Sequence, residues 1–377
     1  MPNEPGGLRE HTLVSGRGLV DGIWHPDVSI DARVLGFEER FLAGRFSEPL
    51  DLDDLRNRPW DYHLYVAYPC PFAHRVILAR ALLGVTAIGM SVCHPCLTKN
   101  KGWIFAPDEK LENYLGLTLD EGLGKHTLHE VYTHATPRFT GRVTVPALLH
   151  LPSGRIVSND SFKLMAAFAK AFDPKGRRLG IIPADVDSRW PAVETNTDLT
   201  ALDPLSLAAW VADRISVGVY RAGMARTQHE YEQYLAAFFK DLDRLEGFLA
   251  SAVLADRYGT HSLASLILLA TWVRWDLAYR LVMYLTARSK QEYPAIARQC
   301  ANLLSDPTVA ATVREDQIIR HYVDDDAFVN RRLVEGRYLL PIQRLDEPRP
   351  PVATPNLRPV SRRQTAASAA SDGAASG

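Results

Sequence analysis

The rhythm of apolar and polar positions changes twice along the chain. Residues 1–60 follow neither a helical nor a strand period, and Gly, Pro and charges are frequent, so they read as an irregular arm. From Tyr62 to Tyr68 (YHLYVAY) aromatic and β-branched residues crowd together, as in a buried strand. Pro69-Cys70-Pro71 follows, then an apolar-faced helix from His74 to Leu83 that Gly84 stops. Val85 to Val92 fits a second strand, and Thr98 to Thr140 reads as loop with short helices. Val143 to Leu149, a Pro-Ser-Gly turn at 152–154 and Arg155 to Val157 read as a β-hairpin. Ser158 to Ser161 then caps a helix running to about Phe172. The order predicts an α/β unit over residues 61–175.

Beyond a Pro/Gly-containing connection at 173–191 the pattern is helical. Tyr231, Tyr234, Leu235, Phe238, Leu242, Leu245 and Leu249 recur at spacings of three and four, one stripe of a long amphipathic helix. Ser262 to Tyr279 is apolar nearly all round and predicts the central buried helix of an all-α domain over 190–340. Two more helices fit Tyr293 to Leu304 and Thr312 to Val323. The tail at 345–377 turns Pro/Arg-rich and then Ala/Ser-rich, a composition that cannot bury enough apolar surface to fold.

A length of 377 residues accommodates two such domains. The 43 Lys+Arg and 44 Asp+Glu nearly cancel, which argues against a dedicated nucleic-acid or membrane-surface binder. No apolar run reaches the roughly 18–20 residues that span a bilayer, and the N-terminus has no secretory order of basic then apolar residues. A cytoplasmic protein is expected. In that setting four cysteines point to reactivity or metal binding rather than a disulfide framework.

Cys70 is the strongest chemical candidate. It stands between a strand and a helix, with Pro71 in the first helical turn, where the missing N–H is not needed. Unpaired N–H groups and the helix dipole there favour a thiolate, and His74 and Arg75 add positive field. Pro-Phe-Ala follows instead of a second cysteine, so the thiol must be resolved from elsewhere, most simply by a small thiol. Pro146 lies in a strand-like run and marks an edge, a bulge or a cis peptide. A cis proline facing Cys70 leaves the preceding backbone free to pair with a peptide-like thiol. Asp160 and Ser161 at a helix start either hold an amino-acid head group or simply cap the helix. Cys93-His-Pro-Cys96 has metal- or redox-like spacing, but without a second pair the cysteines read as incidental, and no metal is expected.

Taken together, Cys70-Pro-Phe-Ala-His-Arg75, Gly102-Trp-Ile-Phe105, Gly141-Arg-Val-Thr-Val-Pro146 and Ser158-Asn-Asp-Ser161 resemble the Xi-class glutathione transferases, the glutathionyl-hydroquinone reductases. Gly218-Val-Tyr-Arg-Ala-Gly223, Leu242-Asp-Arg-Leu-Glu246, Val273-Arg-Trp-Asp276, Tyr293-Pro294 and His321-Tyr322 continue the resemblance to Tyr322. It implies a distant member with the glutathione-transferase fold: a thioredoxin-like domain, then a helical-bundle domain, with the active cleft between. It further implies Cys70 as nucleophile. Trp103, Arg142, Val145 (through its backbone), Asp160 and Ser161 would hold the glutathionyl group, and Tyr220 and Tyr322 would donate to the quinol oxygen. Glutathione is the implied co-substrate, a quinone-type aromatic the substrate, and a homodimer the implied assembly.

The chain departs from the family pattern at Phe72, where Trp is usual, and at Asp160, where Glu is usual. Before the central helix, Ser262-Leu-Ala-Ser265 lacks the acidic member of the usual capping box. Arg outnumbers Lys 34 to 9, as GC-rich coding gives, and some organisms with such genomes use another low-molecular-weight thiol. Two other functions stand beside the reductase: a glutathione-conjugating transferase or lyase, and a non-catalytic ligand-binding relative.

Overall fold

A computed structural model describes residues 16–28, 46, 50–98, 100–105, 113–176, 178–179, 194, 196–225, 227–251 and 261–322. The tail expected at 345–377 and most of the connection at 173–191 lie outside the described residues.

Four strands make the main sheet in the order β4-β3-β5-β6: β3 (Tyr62–Val66), β4 (Gly89–Val92), β5 (Ala147–His150) and β6 (Arg155–Ser158). β3 and β4 run parallel with Tyr65 opposite Ser91, so they need a crossover, and helix α2 (Pro71–Leu83) provides it. β5 pairs antiparallel with β3, Tyr65 opposite Ala147, and β6 pairs antiparallel with β5. All five residues of β3 are buried, which is why it reads as a continuous apolar run. Gly84 ends α2 at φ 67, a left-handed cap that glycine adopts without steric cost. α2 packs along α4 (Ser161–Phe172), and α3 (Leu128–Ala135) lies against β6. These elements form the expected α/β unit.

Within the first sixty residues, the described segments are not the irregular arm that composition suggests. Strands β1 (Gly16–Val20) and β2 (Ile23–Val28) form a hairpin, and α1 (Leu52–Asn57) follows with Asp51 as its N-cap. Asp21 and Gly22 turn the hairpin at φ 48 and φ 81, the two positive values a tight two-residue turn requires. The hairpin is tied to the main unit by paired backbone bonds between Leu19 and Gly141, each 2.9 Å, and by the Arg138–Asp21 ion pair.

The second half is helical: α5 (Pro204–Trp210), α6 (Gly218–Gly223), α7 (Gln228–Ala250), α8 (Leu263–Trp272), α9 (Arg280–Val282), α10 (Pro294–Leu304), α11 (Pro307–Ala310) and α12 (Glu315–Tyr322). The α7 stripe faces the core through Tyr231, Leu235, Phe238, Leu242 and Leu245, while Tyr234 and Leu249 are partly exposed. Every residue of α8 is buried, and the helix packs on α5, α10 and, across the domain boundary, on α2.

The central helix does not run unbroken to Tyr279. It stops at Trp272, and after Val273 and Arg274 a wider π turn carries Trp275–Tyr279, the Tyr279 N–H reaching back five residues to Arg274. A second π segment, Val211–Val217, joins α5 to α6. Its Arg214 is held by the buried Asp241 of α7 at 2.7 Å, and its Ser216 hydroxyl meets Thr271 of α8. Among the described residues no helix is long and apolar enough to cross a membrane.

Candidate active site

Cys70 is the N-cap residue of α2. Its carbonyl accepts the His74 N–H at 2.9 Å, while its side chain makes no capping bond and instead points its Sγ at the Val145 carbonyl, 3.5 Å away. The Val145-Pro146 peptide is cis, which resolves the alternatives open at Pro146. Tyr132 holds the approach to it, donating to the Thr144 carbonyl at 2.7 Å and accepting from Asn159 Nδ2 at 3.2 Å. The thiol, the cis peptide and the residues that lead into α4 therefore lie together.

Burial pushes the Cys70 thiol above its ordinary value. The N–H groups of Ala73 and Phe72 and the charges of Arg274 and Arg75 pull the other way without prevailing. The expected contribution of His74 is absent. Its ring is fully buried and held neutral by desolvation and by Arg274, which donates to Nδ1 at 3.1 Å. Its Nε2 therefore carries the hydrogen and donates to Thr312 Oγ1 at 2.9 Å.

Arg75 is also fully buried. It lies 4.7 Å over the Phe72 ring and donates through Nη1 to Ser161 Oγ at 3.3 Å. Among the described residues its Nε and Nη2 have no hydrogen-bond partner, and burial lowers its pKa to about 10 against the opposing charge of Asp160. Asp160 caps α4, its Oδ1 accepting from Phe162 N–H at 2.9 Å and Lys163 N–H at 3.2 Å. Capping and a nearby cation thus meet at the same carboxylate. Arg142 is half-buried in the loop before β5, where desolvation lowers its pKa and the Cys70 thiol opposes that most strongly.

Trp103 is buried on the loop that leads to α3, its ring stacked on His321 of α12 at 5.2 Å and 15°. The amino-terminal hairpin stands behind this part of the cleft. Trp24 fills the space a Cβ on Gly102 would need, and Leu19 pairs with Gly141 beside Arg142.

The helical domain contributes phenols. The hydroxyls of Tyr220 (α6) and Tyr322 (α12) are 2.6 Å apart, and Tyr279 of the π turn lies 3.4 Å from Tyr220. The Tyr220 ring is 5.6 Å from that of Phe72, which puts the group against the first turn of α2. Burial pushes all three phenols up, so they remain protonated donors. Tyr279 was not foreseen, because an aromatic in an apolar run reads as core. Arg274 stands in the Val273-Arg-Trp-Asp276 match but receives no role from the sequence, although a lone arginine in so apolar a run is the signal that could have given it one.

Cys93 is buried at the end of β4, with burial pushing its thiol well up, and Cys96 is half-buried on the next turn. Among the described residues no group of three His, Cys, Asp or Glu is placed to hold a metal ion.

No protein-family model matches the chain. It is 32% identical over 343 residues to the glutathionyl-hydroquinone reductase YqjG of Escherichia coli, covering 88% of this chain and 97% of that one. It is also 32% identical to the glutathionyl-hydroquinone reductase PcpF of Sphingobium chlorophenolicum, covering 83% and 93%. Among solved structures, a Xi-class glutathione transferase of Natrialba magadii superposes with a TM-score of 0.64 at 30% identity, covering 82% of this chain and 88% of that one. The glutathione-bound structure of the Escherichia coli protein superposes with a TM-score of 0.61 at 28% identity, covering 88% and 98%.

Proposed function

The chain belongs to the Xi-class glutathione transferases, the family of the glutathionyl-hydroquinone reductases, and from that premise we propose that it removes glutathione from glutathionyl-hydroquinones. The observation that carries this reading is the pairing of chemistries in one cleft. Cys70 stands at a helix start beside the Val145 carbonyl, and three protonated phenols lie against the same turn.

The Cys70 thiolate attacks the sulfur of the substrate. A Cys70–glutathione disulfide forms, the sulfur–aryl bond breaks, and its electron pair passes to the ring, whose carbon takes up a proton. The two sulfurs are oxidised together and the ring carbon is reduced. Charge that develops on the quinol oxygen meets Tyr220 and Tyr322, donors in place before the reaction begins. A second glutathione thiolate then attacks the glutathione sulfur, which releases glutathione disulfide and returns the Cys70 thiolate.

The bound glutathione of the Escherichia coli relative supports glutathione as the thiol. In this chain its peptide backbone would pair with Val145, its γ-glutamyl head would meet Asp160 and Ser161, and Trp103 and Arg142 would complete the hold. Asp160 is a shorter acid than the family's glutamate, which leaves room for a related small thiol.

Turnover of glutathionyl-menadiol with glutathione as reductant, followed together with protein mass, tests the reading. The wild type should release menadiol and trap one glutathionyl unit on Cys70. Cys70→Ser should lose turnover, and Tyr220→Phe should form the adduct more slowly. Equal turnover in wild type and Cys70→Ser would refute it. Conjugation of a chlorinated aromatic electrophile that survives Cys70→Ser would point instead to a transferase.

A further inference from the structure

One of the arginines around Cys70 comes from the other domain. Arg274, at the break between α8 and the π turn, is fully buried. It donates through Nε to the Pro69 carbonyl at 2.8 Å and through Nη2 to the Tyr68 carbonyl at 2.7 Å. Nη1 reaches the Ala270 carbonyl and His74 Nδ1. Every one of these partners is neutral, and among the described residues no carboxylate forms an ion pair with Arg274. Carbonyl dipoles satisfy its donors but leave its charge uncompensated, an arrangement that favours an anion close by. The next residue after the Pro69 carbonyl is Cys70.

We propose that Arg274 is a positioning residue for the nucleophile: it grips both carbonyls of the Tyr68-Pro69 turn, sets the place of Cys70, and supplies positive charge that favours the thiolate. The second domain thereby activates the thiol of the first. The inference rests on Cys70 being the nucleophile of the proposed function, and not on the quinol.

The other groups that face Cys70 do not replace this charge. On its own helix, His74 is neutral and Arg75 is shared with the carboxylate of Asp160. From the loop before β5, the partly buried Arg142 adds a further positive charge, and it belongs to the thiol's own domain. From the helical domain, Tyr220, Tyr279 and Tyr322 stay protonated. Among the charged groups acting on Cys70, Arg274 is the largest influence toward ionisation.

The test is the rate of Cys70 alkylation by iodoacetamide as a function of pH, read by peptide mapping in the absence of glutathione and quinol. Arg274→Gln should move the midpoint up by about one pH unit, which slows alkylation about tenfold at pH values below it. Arg274→Lys keeps a charge but cannot fork to both carbonyls, and should raise the midpoint by less. Either variant, folded by circular dichroism and showing the wild-type midpoint, overturns the proposal, because a purely structural arginine would change stability and leave the midpoint in place. A midpoint that depends on Arg274, in a protein that does not turn over glutathionyl-menadiol, would refute the substrate reading alone.

Discussion

At the first turn of α2, the N–H groups of Ala73 and Phe72 favour a Cys70 thiolate, as a helix begun by Pro71 leads one to expect, while desolvation opposes it and is the larger effect. Local sequence carries the dipole but not the burial, because burial depends on a helical domain two hundred residues away. The same limit hid Tyr279. Tyr220 and Tyr322 stand in recognisable motifs, whereas Tyr279 is one aromatic among many in the run after Ser262. Its hydroxyl is 3.4 Å from that of Tyr220, so it helps to orient a donor rather than meeting substrate first. Tyr279→Phe should lower turnover about fivefold to tenfold, in the range of one modest hydrogen bond, with mass spectrometry still finding the Cys70 adduct. Unchanged turnover would remove Tyr279 from the site.

Elements were legible where their period was clean and obscured where polar contacts reshape them. The buried strand β3, the helix from Pro71 and the α7 stripe follow directly from the residue pattern. The hairpin β1-β2 was missed because its strands, GRGLV and IWHPDV, do not alternate, although the Asp21-Gly22 pair is itself a turn signal. The two π segments have no periodic signature, yet each stands just before or around a cleft tyrosine: Val211–Val217 leads into the helix of Tyr220, and Trp275–Tyr279 ends on Tyr279. A longer distance separates Glu246 of α7 from Pro294. The buried Glu246 carboxylate accepts from the Ala295 and Ile296 N–H groups at 2.7 and 2.9 Å and so caps α10. Glu246→Ala should cost about 2–3 kcal/mol, since it leaves two buried donors without partners, and Glu246→Gln should cost less. Denaturant unfolding measures both, and equal stability of Glu246→Ala and wild type would count against the cap.

Over the whole molecule, the domains are joined through buried polar contacts as well as packing. Arg274 crosses to Tyr68 and Pro69, Thr312 to His74, Gln317 to the Leu115 carbonyl at 3.0 Å, and His321 to the Pro95 carbonyl at 2.8 Å. Separating the domains would expose or orphan these groups, so scanning calorimetry should record one unfolding transition. Two resolved transitions would show that the boundary contributes little. The stack of Trp103 on His321 has a further consequence, because His321 directly precedes Tyr322. A ligand that steadies the indole also steadies the end of α12, and with it a phenol on the opposite wall. By thermodynamic reciprocity the two halves of a conjugate would then strengthen each other's affinity by one common factor. The cleft would discriminate against free thiol or free aromatic alone in favour of the molecule that joins them.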